Sequence, residues 1–155
     1  MKLFALIKRW FNPLPIGQNS TSVGRFYEDM ARQYLQKQGL RFIEANFNCR
    51  YGELDLIMAD ADQLVFVEVK FRTSQAYGGA IGAISHSKQR KLIKTAKLYM
   101  QQQRLSSTAA RFDVVAIQSL SPSEKSLSDE SSAKKSSAEN SQLRWIKNAF
   151  YANAY

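Results

Sequence analysis

Two apolar segments joined by a short polar stretch constrain the fold of this chain most strongly. Residues 53–59 read ELDLIMA, and residues 64–71 read LVFVEVKF. Both have the length and the apolar content of strands. The connecting residues 60–63, DADQ, are few and polar, as hairpin turns are. The pattern therefore predicts an antiparallel hairpin.

The second strand of this hairpin carries charges within an apolar segment, at Glu68 and Lys70. Side chains alternate across a strand, so these two share one face and the apolar odd-numbered positions share the other. In the first strand, Leu54 and Leu56 share a face and Asp55 takes the opposite one. If both apolar faces point to one core, the charged faces coincide. We therefore expect Asp55 and Glu68 to lie together beside Lys70.

Two carboxylates held together repel each other, which raises a pKa or favours a bound cation. Mg²⁺ takes one or two carboxylates together with waters and substrate phosphate. A neighbouring lysine such as Lys70 can activate the attacking water or stabilise charge at phosphorus, which is the chemistry of phosphodiester hydrolysis. The alternative is structural, with Glu68 and Lys70 as cross-strand ion partners on a solvated face. These residues alone leave both interpretations open.

The remaining elements follow from helical and strand periodicity. We expect a first helix with a cap cluster at 19–22 and a C-terminal stop at Gly39, and then a strand over 41–47. A second helix, capped by Ser85 or Ser87, extends to about Gln103. Two more strands follow, at 111–118 and from Leu143 onward, and are expected to pair. This order predicts an α/β or α+β domain with a mixed sheet.

Two segments fall outside this domain. Residues 1–19 form a basic, amphipathic extension, and residues 119–141 are Ser-rich and expected to be a disordered loop. The domain itself covers 20–118 and is completed by 142–153. The extension is interpreted as a loosely attached or partner-docking helix, with an interfacial helix as the alternative. Either role implies a weak protein or membrane contact through residues 1–16.

The charge balance points to a polyanionic partner. The chain has 22 Lys and Arg against 13 Asp and Glu, a net charge of +9. No acidic residue lies between Glu68 and Asp113. A solvated helix face is the alternative explanation, but such a basic interval without compensating acids favours binding to nucleic-acid phosphates. The residues expected to bind nucleic acid are Arg72, Lys88, Lys91 and Lys94.

Cysteine and histidine usage excludes several kinds of site. Cys49 is the single cysteine and His86 the single histidine. An intrachain disulfide and a zinc site of paired cysteines are therefore impossible, and a Ser-His-Asp mechanism would depend on one histidine. The lone cysteine favours a reducing cytoplasm.

Several segments together resemble a known family. They are GRFYEDMARQYL, NFNCRYGELDLI, VFVEVKFR, KLIKTAKLY, RFDVVAI and IKNAF, between about Gly24 and Phe150. The chain resembles the YraN family, small bacterial proteins related to archaeal-type Holliday-junction resolvases of the PD-(D/E)XK superfamily. The resemblance implies a restriction-endonuclease-like α/β fold, a mixed β-sheet core flanked by helices.

The resemblance also implies a set of metal ligands. Asp55 and Glu68 would bind the metal, Mg²⁺ or Mn²⁺, with the backbone carbonyl of Val69 as a third ligand. Lys70 would orient or activate the attacking water. Glu53, on the face of Asp55, is an auxiliary candidate whose alternative is an ion pair with a basic neighbour.

Glu28 matches the helical glutamate that many of these nucleases place beside the metal. Its alternative role is an i,i+4 ion pair with Arg32. The implied activity is a metal-dependent endonuclease acting on DNA rather than RNA, on branched or damaged substrates. The alternatives are a non-catalytic nucleic-acid-binding module of the same fold and a partner- or membrane-associated protein. Junction resolvases act as dimers, so a homodimer is also expected from the resemblance.

Overall fold

A computed structural model of the chain describes residues 22–72, 84–119 and 141–152. The predicted extension over 1–19 and the body of the Ser-rich loop, 120–140, lie outside these ranges. No helix within them is long and apolar enough to cross a membrane. The elements, in chain order, are α1 (Ser22–Lys37), β1 (Arg41–Cys49), β2 (Gly52–Asp60), β3 (Gln63–Arg72), α2 (His86–Gln102), β4 (Ala110–Ser119) and β5 (Ser141–Phe150).

The strands form one mixed sheet in the order β1-β2-β3-β4-β5. β1, β2 and β3 are antiparallel neighbours, β3 and β4 are parallel, and β5 is antiparallel to β4. A parallel pair needs a long crossover connection, and α2 lies within that connection here. This is the predicted α/β fold, a mixed sheet with helices on its faces and a restriction-endonuclease-like core.

The predicted β2–β3 hairpin is confirmed. Asp60 pairs with Gln63 across a two-residue turn, and pairing continues as far as Leu56 opposite Val67. The two strands are almost completely buried between these pairs. A rigid pair of strands of this kind fixes the positions of the residues at its open end, Asp55 on β2 and Glu68 on β3.

The first helix ends where a glycine was expected to stop it. Gly39 has a φ of 96°, a left-handed conformation that glycine adopts without steric cost. The Leu40 N–H then donates to the Leu35 carbonyl at 3.1 Å, which is the closing bond of a Schellman motif. Leu35 and Leu40 are both buried in the same cluster, so the helix end is tied to the core.

The core is divided by the sheet into two clusters, which corrects the expectation of one core. Leu54 belongs to the cluster under α2, whereas Leu56 belongs to the cluster under α1, so the predicted shared face of these two leucines is wrong. Their partners on β1 are Phe47 and Ala45. Between those partners, Asn46 has a left-handed φ of 57°. This residue interrupts the alternation of side chains, and the strand pair changes faces there.

The last two strands are joined by a buried carboxylate. Asp113 of β4 is completely buried. It accepts hydrogen bonds from Arg111 Nε at 3.1 Å, Trp145 Nε1 at 3.0 Å and the Asn148 N–H at 2.9 Å. Since its partners come from both strands, this carboxylate links β5 to β4, and it has a structural role.

Candidate active site

Asp55 lies where β2 leaves the hairpin. The backbone pairing of β2 with β3 stops at Leu56. Beyond this point the Asp55 side chain, and not the backbone, contacts β3. Its Oδ2 accepts a hydrogen bond of 2.8 Å from the Val69 N–H. The side chain of Asp55 is therefore held against β3, next to Glu68.

The environment of Asp55 disfavours its charged form. Burial, and after it the charge of Glu68, raises the pKa of Asp55 to about 7. The Val69 N–H and the Lys88 ammonium act in the opposite direction and do not offset the burial. A cation bound at this carboxylate would favour the ionised form again.

Glu68 is held by one of its two carboxylate oxygens. Lys88 Nζ lies 3.1 Å from Glu68 Oε1, and the glutamate side chain is only 10% exposed. The second oxygen, Oε2, is buried and has no hydrogen-bond partner among the described residues. An unpartnered buried oxygen on a carboxylate is energetically costly, and it is a natural position for a metal ion or an ordered water.

Lys70 lies two residues beyond Glu68 on β3. Burial lowers the pKa of its ammonium group, Glu68 opposes this change, and the positive charges of Arg72 and Lys88 lower the pKa further. The structure therefore brings Lys70, a lysine with a lowered pKa, onto the same strand as Glu68 and close to the predicted carboxylates.

Glu28 reaches the same region from α1. Its charge adds to the raised pKa of Asp55, after burial and Glu68. Glu28 Oε2 accepts a hydrogen bond of 3.0 Å from Asn46 Nδ2. Within the described ranges Arg32 instead forms its ion pair with Asp29, so the alternative pairing expected for Glu28 is not the one adopted.

The donor set fits a hard cation with open coordination positions. In the part of the chain that the structure describes, no group of three or more acidic, cysteine or histidine side chains could hold a metal ion by itself. Mg²⁺ needs only one or two carboxylates, with waters and phosphate as further ligands. Asp55 and the free oxygen of Glu68 supply that minimum. The Val69 carbonyl as a third ligand and Glu53, opposite Asn48, as an auxiliary group stay predictions.

Comparison with known proteins identifies the family. The model of the uncharacterised protein family UPF0102 matches residues 27–117. The chain belongs to the UPF0102 family. A UPF0102 protein of Colwellia psychrerythraea is 46% identical over 134 residues, which cover 85% of this chain and 91% of the relative. One from Stutzerimonas stutzeri is 42% identical, covering 84% and 96%, and one from Vibrio vulnificus is 51% identical, covering 63% and 82%.

UPF0102 membership confirms the resemblance to the YraN family. The matched range, 27–117, contains Glu28, Asp55, Glu68 and Lys70 and the whole of α2. These relatives are named for the family and not for an activity. The family therefore supports the shared fold, and the reaction has to be inferred from the chemistry of the site.

The basic residues of this UPF0102 chain are divided between the site and the surface. Arg72, at the end of β3, and Lys91 and Lys94, on α2, are exposed. Lys88 is drawn to Glu68 instead of extending from the outer side of the helix. Nucleic-acid binding by these four residues stays a prediction, and Lys88 now has a second role at the carboxylates.

Asn46 is the residue of the site that sequence analysis missed. It lies on β1, between residues paired with Leu54 and Leu56, and so opposite Asp55. A strand pattern does not reveal a left-handed residue. The available signal was its residue type, because asparagine tolerates a left-handed φ better than most residues.

Proposed function

We propose that this UPF0102 protein is a metal-dependent endonuclease that hydrolyses phosphodiester bonds in DNA. One observation carries the proposal: the largely buried carboxylates of Asp55 and Glu68 lie close together, Glu68 Oε2 lacks a partner among the described residues, and a lysine with a lowered pKa follows on the same strand. A purely structural ion pair would not need this unpartnered oxygen. The restriction-endonuclease-like sheet supports the same interpretation.

The residues would divide the chemistry between them. Asp55 and Glu68 would hold Mg²⁺ or Mn²⁺, which supplies an activated water and neutralises charge on the scissile phosphate. Lys70 would accept a proton from that water or orient it by hydrogen bonding. The water oxygen would bond to phosphorus as the P–O bond to the leaving sugar oxygen breaks, and that oxygen would take up the proton released by the water, through Lys70 or through solvent.

The exposed basic residues support DNA as the polyanion. Lys91 and Lys94 extend from α2, whose first turn carries Lys88 beside Glu68. A nucleic-acid backbone bound along α2 would therefore extend to the carboxylates of the site. Contacts of this type recognise the backbone and not the sequence. Branched or damaged DNA is the proposed substrate, and a four-way junction cut symmetrically would require a homodimer with two sites. We propose a cytoplasmic location on the same basis.

One observation favours a second candidate, a nucleic-acid-binding module without catalysis. The Lys88–Glu68 ion pair partly neutralises the carboxylates without any metal. In such a module the carboxylates would serve only the fold, and the basic face would bind DNA unaided.

A cleavage assay separates the two candidates. The full chain would be incubated with labelled duplex, nicked, flap, four-way-junction and single-stranded DNA and with RNA, in Mg²⁺, Mn²⁺ or EDTA. Asp55→Asn, Glu68→Gln and Lys70→Met serve as site variants, and Asp62→Asn in the exposed β2–β3 turn is the matched control. Cleavage that requires metal, persists in the control and disappears in the site variants supports the endonuclease. Salt-sensitive binding without cleavage under any condition would establish the binding module.

A further inference from the structure

The conformation of Asn46 is unusual for a strand residue. Its φ of 57° lies in the left-handed region, which costs most non-glycine residues free energy. β1 nevertheless continues in register on both sides, with Ala45 opposite Leu56 and Phe47 opposite Leu54. A local irregularity retained inside an ordered strand pair suggests a role for the side chain that it directs.

That side chain reaches the acidic site. Asn46 Nδ2 lies 3.0 Å from Glu28 Oε2. A carboxylate only accepts hydrogen bonds, so the amide nitrogen must face Glu28, and the orientation of the amide is settled. The amide oxygen, Asn46 Oδ1, is buried and has no partner among the described residues. The asparagine therefore contributes one bond to Glu28 and leaves a second polar atom inside the site.

Glu28 approaches the site from a different element. It extends from α1, whereas Asp55 and Glu68 lie on the sheet. Arg32, one turn further along the same helix, is paired with Asp29. A flexible glutamate at a helix edge would sample several rotamers, and the amide of Asn46 selects the one directed to the sheet.

We propose that Asn46 is a positioning residue that directs the Glu28 carboxylate toward Asp55, so that Glu28 adds negative charge beside the two carboxylates of the metal site. This inference rests on the proposed metal-dependent function. Asn46 acts through Glu28 and does not itself need to contact the metal. Outer residues of this kind commonly change metal affinity by about 10- to 100-fold when they are removed.

The test is a double-mutant cycle on Mn²⁺ affinity, measured by isothermal titration with the full chain. Asn46→Gly deletes the amide and retains the left-handed backbone, which glycine adopts freely. Asn148→Gly is the matched control, because Asn148 also has a left-handed φ, of 51°, and lies on β5. We expect Asn46→Gly to weaken Mn²⁺ binding on the order of tenfold, with Asn148→Gly unchanged. In a Glu28→Ala background, Asn46→Gly should cause no further loss.

Each alternative result has a distinct meaning. Two results would show that Asn46 does not position Glu28, provided that the wild-type chain binds Mn²⁺. Asn46→Gly could have the same Mn²⁺ affinity as wild type, or it could lower the affinity equally in the wild-type and Glu28→Ala backgrounds. If the wild-type chain binds no Mn²⁺ and cleaves no DNA, the proposed function and this inference are both overturned. Glu28→Gln protects the test against misfolding of the glycine variant. It retains the hydrogen bond to Asn46 and removes the charge, and it should lose affinity although the side chain stays in place.

Discussion

Glu68 binds Lys88 through Oε1 at 3.1 Å and leaves Oε2 buried without a partner in the described part of the chain. A surface ion pair would leave the second oxygen in water. Here the second oxygen is desolvated, and the neighbouring carboxylate, Asp55, has a raised pKa. Without a bound cation, the negative charges of Asp55 and Glu68 are therefore poorly compensated. A bound divalent cation would relieve both features at once.

Lys70→Met should slow cleavage strongly while DNA binding persists. The substitution retains an unbranched side chain of similar length and removes the amine. General acid–base groups contribute about 10²- to 10⁴-fold to rates, and we expect a loss in that range at saturating DNA. Single-turnover cleavage measures the rate, and fluorescence anisotropy measures the binding.

Lys97→Met, on the exposed face of α2, is the control for Lys70→Met. It also removes one lysine, so a general loss of positive charge would affect both variants similarly. Equal cleavage rates in wild type and Lys70→Met would exclude Lys70 from proton transfer and leave it as a packing residue.

Asp55→Asn should stabilise the metal-free protein above neutral pH. The folded-state pKa of Asp55, about 7, lies above its ordinary value of 3.8. The folded state therefore binds the extra proton between these values, and wild-type stability falls as the pH rises through this window. Asparagine is neutral throughout and can still accept from the Val69 N–H. At about 1.4 kcal/mol per pKa unit, discounted for partial solvent access, we expect a gain on the order of 2 kcal/mol at pH 8.

Urea unfolding in EDTA at pH 4 and pH 8 measures this effect. The difference between Asp55→Asn and wild type should be small at pH 4 and large at pH 8. Asp62→Asn, in an exposed turn, should show no such pH dependence. A constant difference at both pH values would mean that the carboxylate of Asp55 is not electrostatically strained.

Mg²⁺ should stabilise the wild-type protein more at pH 8 than at pH 6. A ligand that binds only the folded state contributes about 2.7 kcal/mol at 100 times its Kd. Below pH 7 the cation must displace the proton on Asp55, so the apparent affinity falls. Thermal denaturation with Mg²⁺ or EDTA checks this, and Glu68→Gln should lose most of the shift. An equal shift in Glu68→Gln would place the binding site elsewhere.

The parts of this fold that depend on neighbouring residues were predicted from the sequence, and a part that depends on the backbone of another strand was not. Strand 64–71 and its turn are specified by neighbouring residues, and the hairpin is found where it was predicted. Pairing of the fourth and last strands was also predicted, because both are apolar and bracket a polar loop. The two-sided core was missed, because Leu54 and Leu56 follow a perfect alternation in the sequence while the backbone at Asn46 does not.

The site shows the same division between local and long-range information. The proximity of Asp55, Glu68 and Lys70 could be predicted from the sequence because they lie on one hairpin. Lys88 at Glu68 could not be foreseen, since helical spacing placed it on an exposed stripe and only the docking of α2 on the sheet turns it inward. Asp113 gave no signal beyond its charge, because its partners Trp145 and Asn148 are separated from it by the whole Ser-rich segment.

Asp113→Ala should destabilise the fold and leave the metal site intact. Its removal strips three donors of their acceptor, including the largely buried guanidinium of Arg111. Arg111 keeps its ion pair with Asp60 at 2.9 Å, so the loss comes mainly from the unpaired Trp145 Nε1 and Asn148 N–H donors, at about 1–3 kcal/mol each. Urea denaturation measures the loss, and Mn²⁺ titration of the folded variant at low temperature should give the wild-type affinity. A weakened Mn²⁺ affinity in folded Asp113→Ala would contradict a purely structural role.

The exposed lysines of α2 should control the salt dependence of DNA binding. Each phosphate contact contributes about 0.9 to the slope of log affinity against log salt. Lys91→Gln with Lys94→Gln should therefore reduce that slope by about 2 and weaken binding to every DNA sequence alike. Lys37→Gln, in the last turn of α1, is the matched control and should leave the slope unchanged. An unchanged slope in the double variant would show that the DNA-binding surface does not include these lysines of α2. A reduced slope with normal cleavage at saturating DNA would show that α2 contributes to binding and that Asp55 and Glu68 contribute to the chemistry.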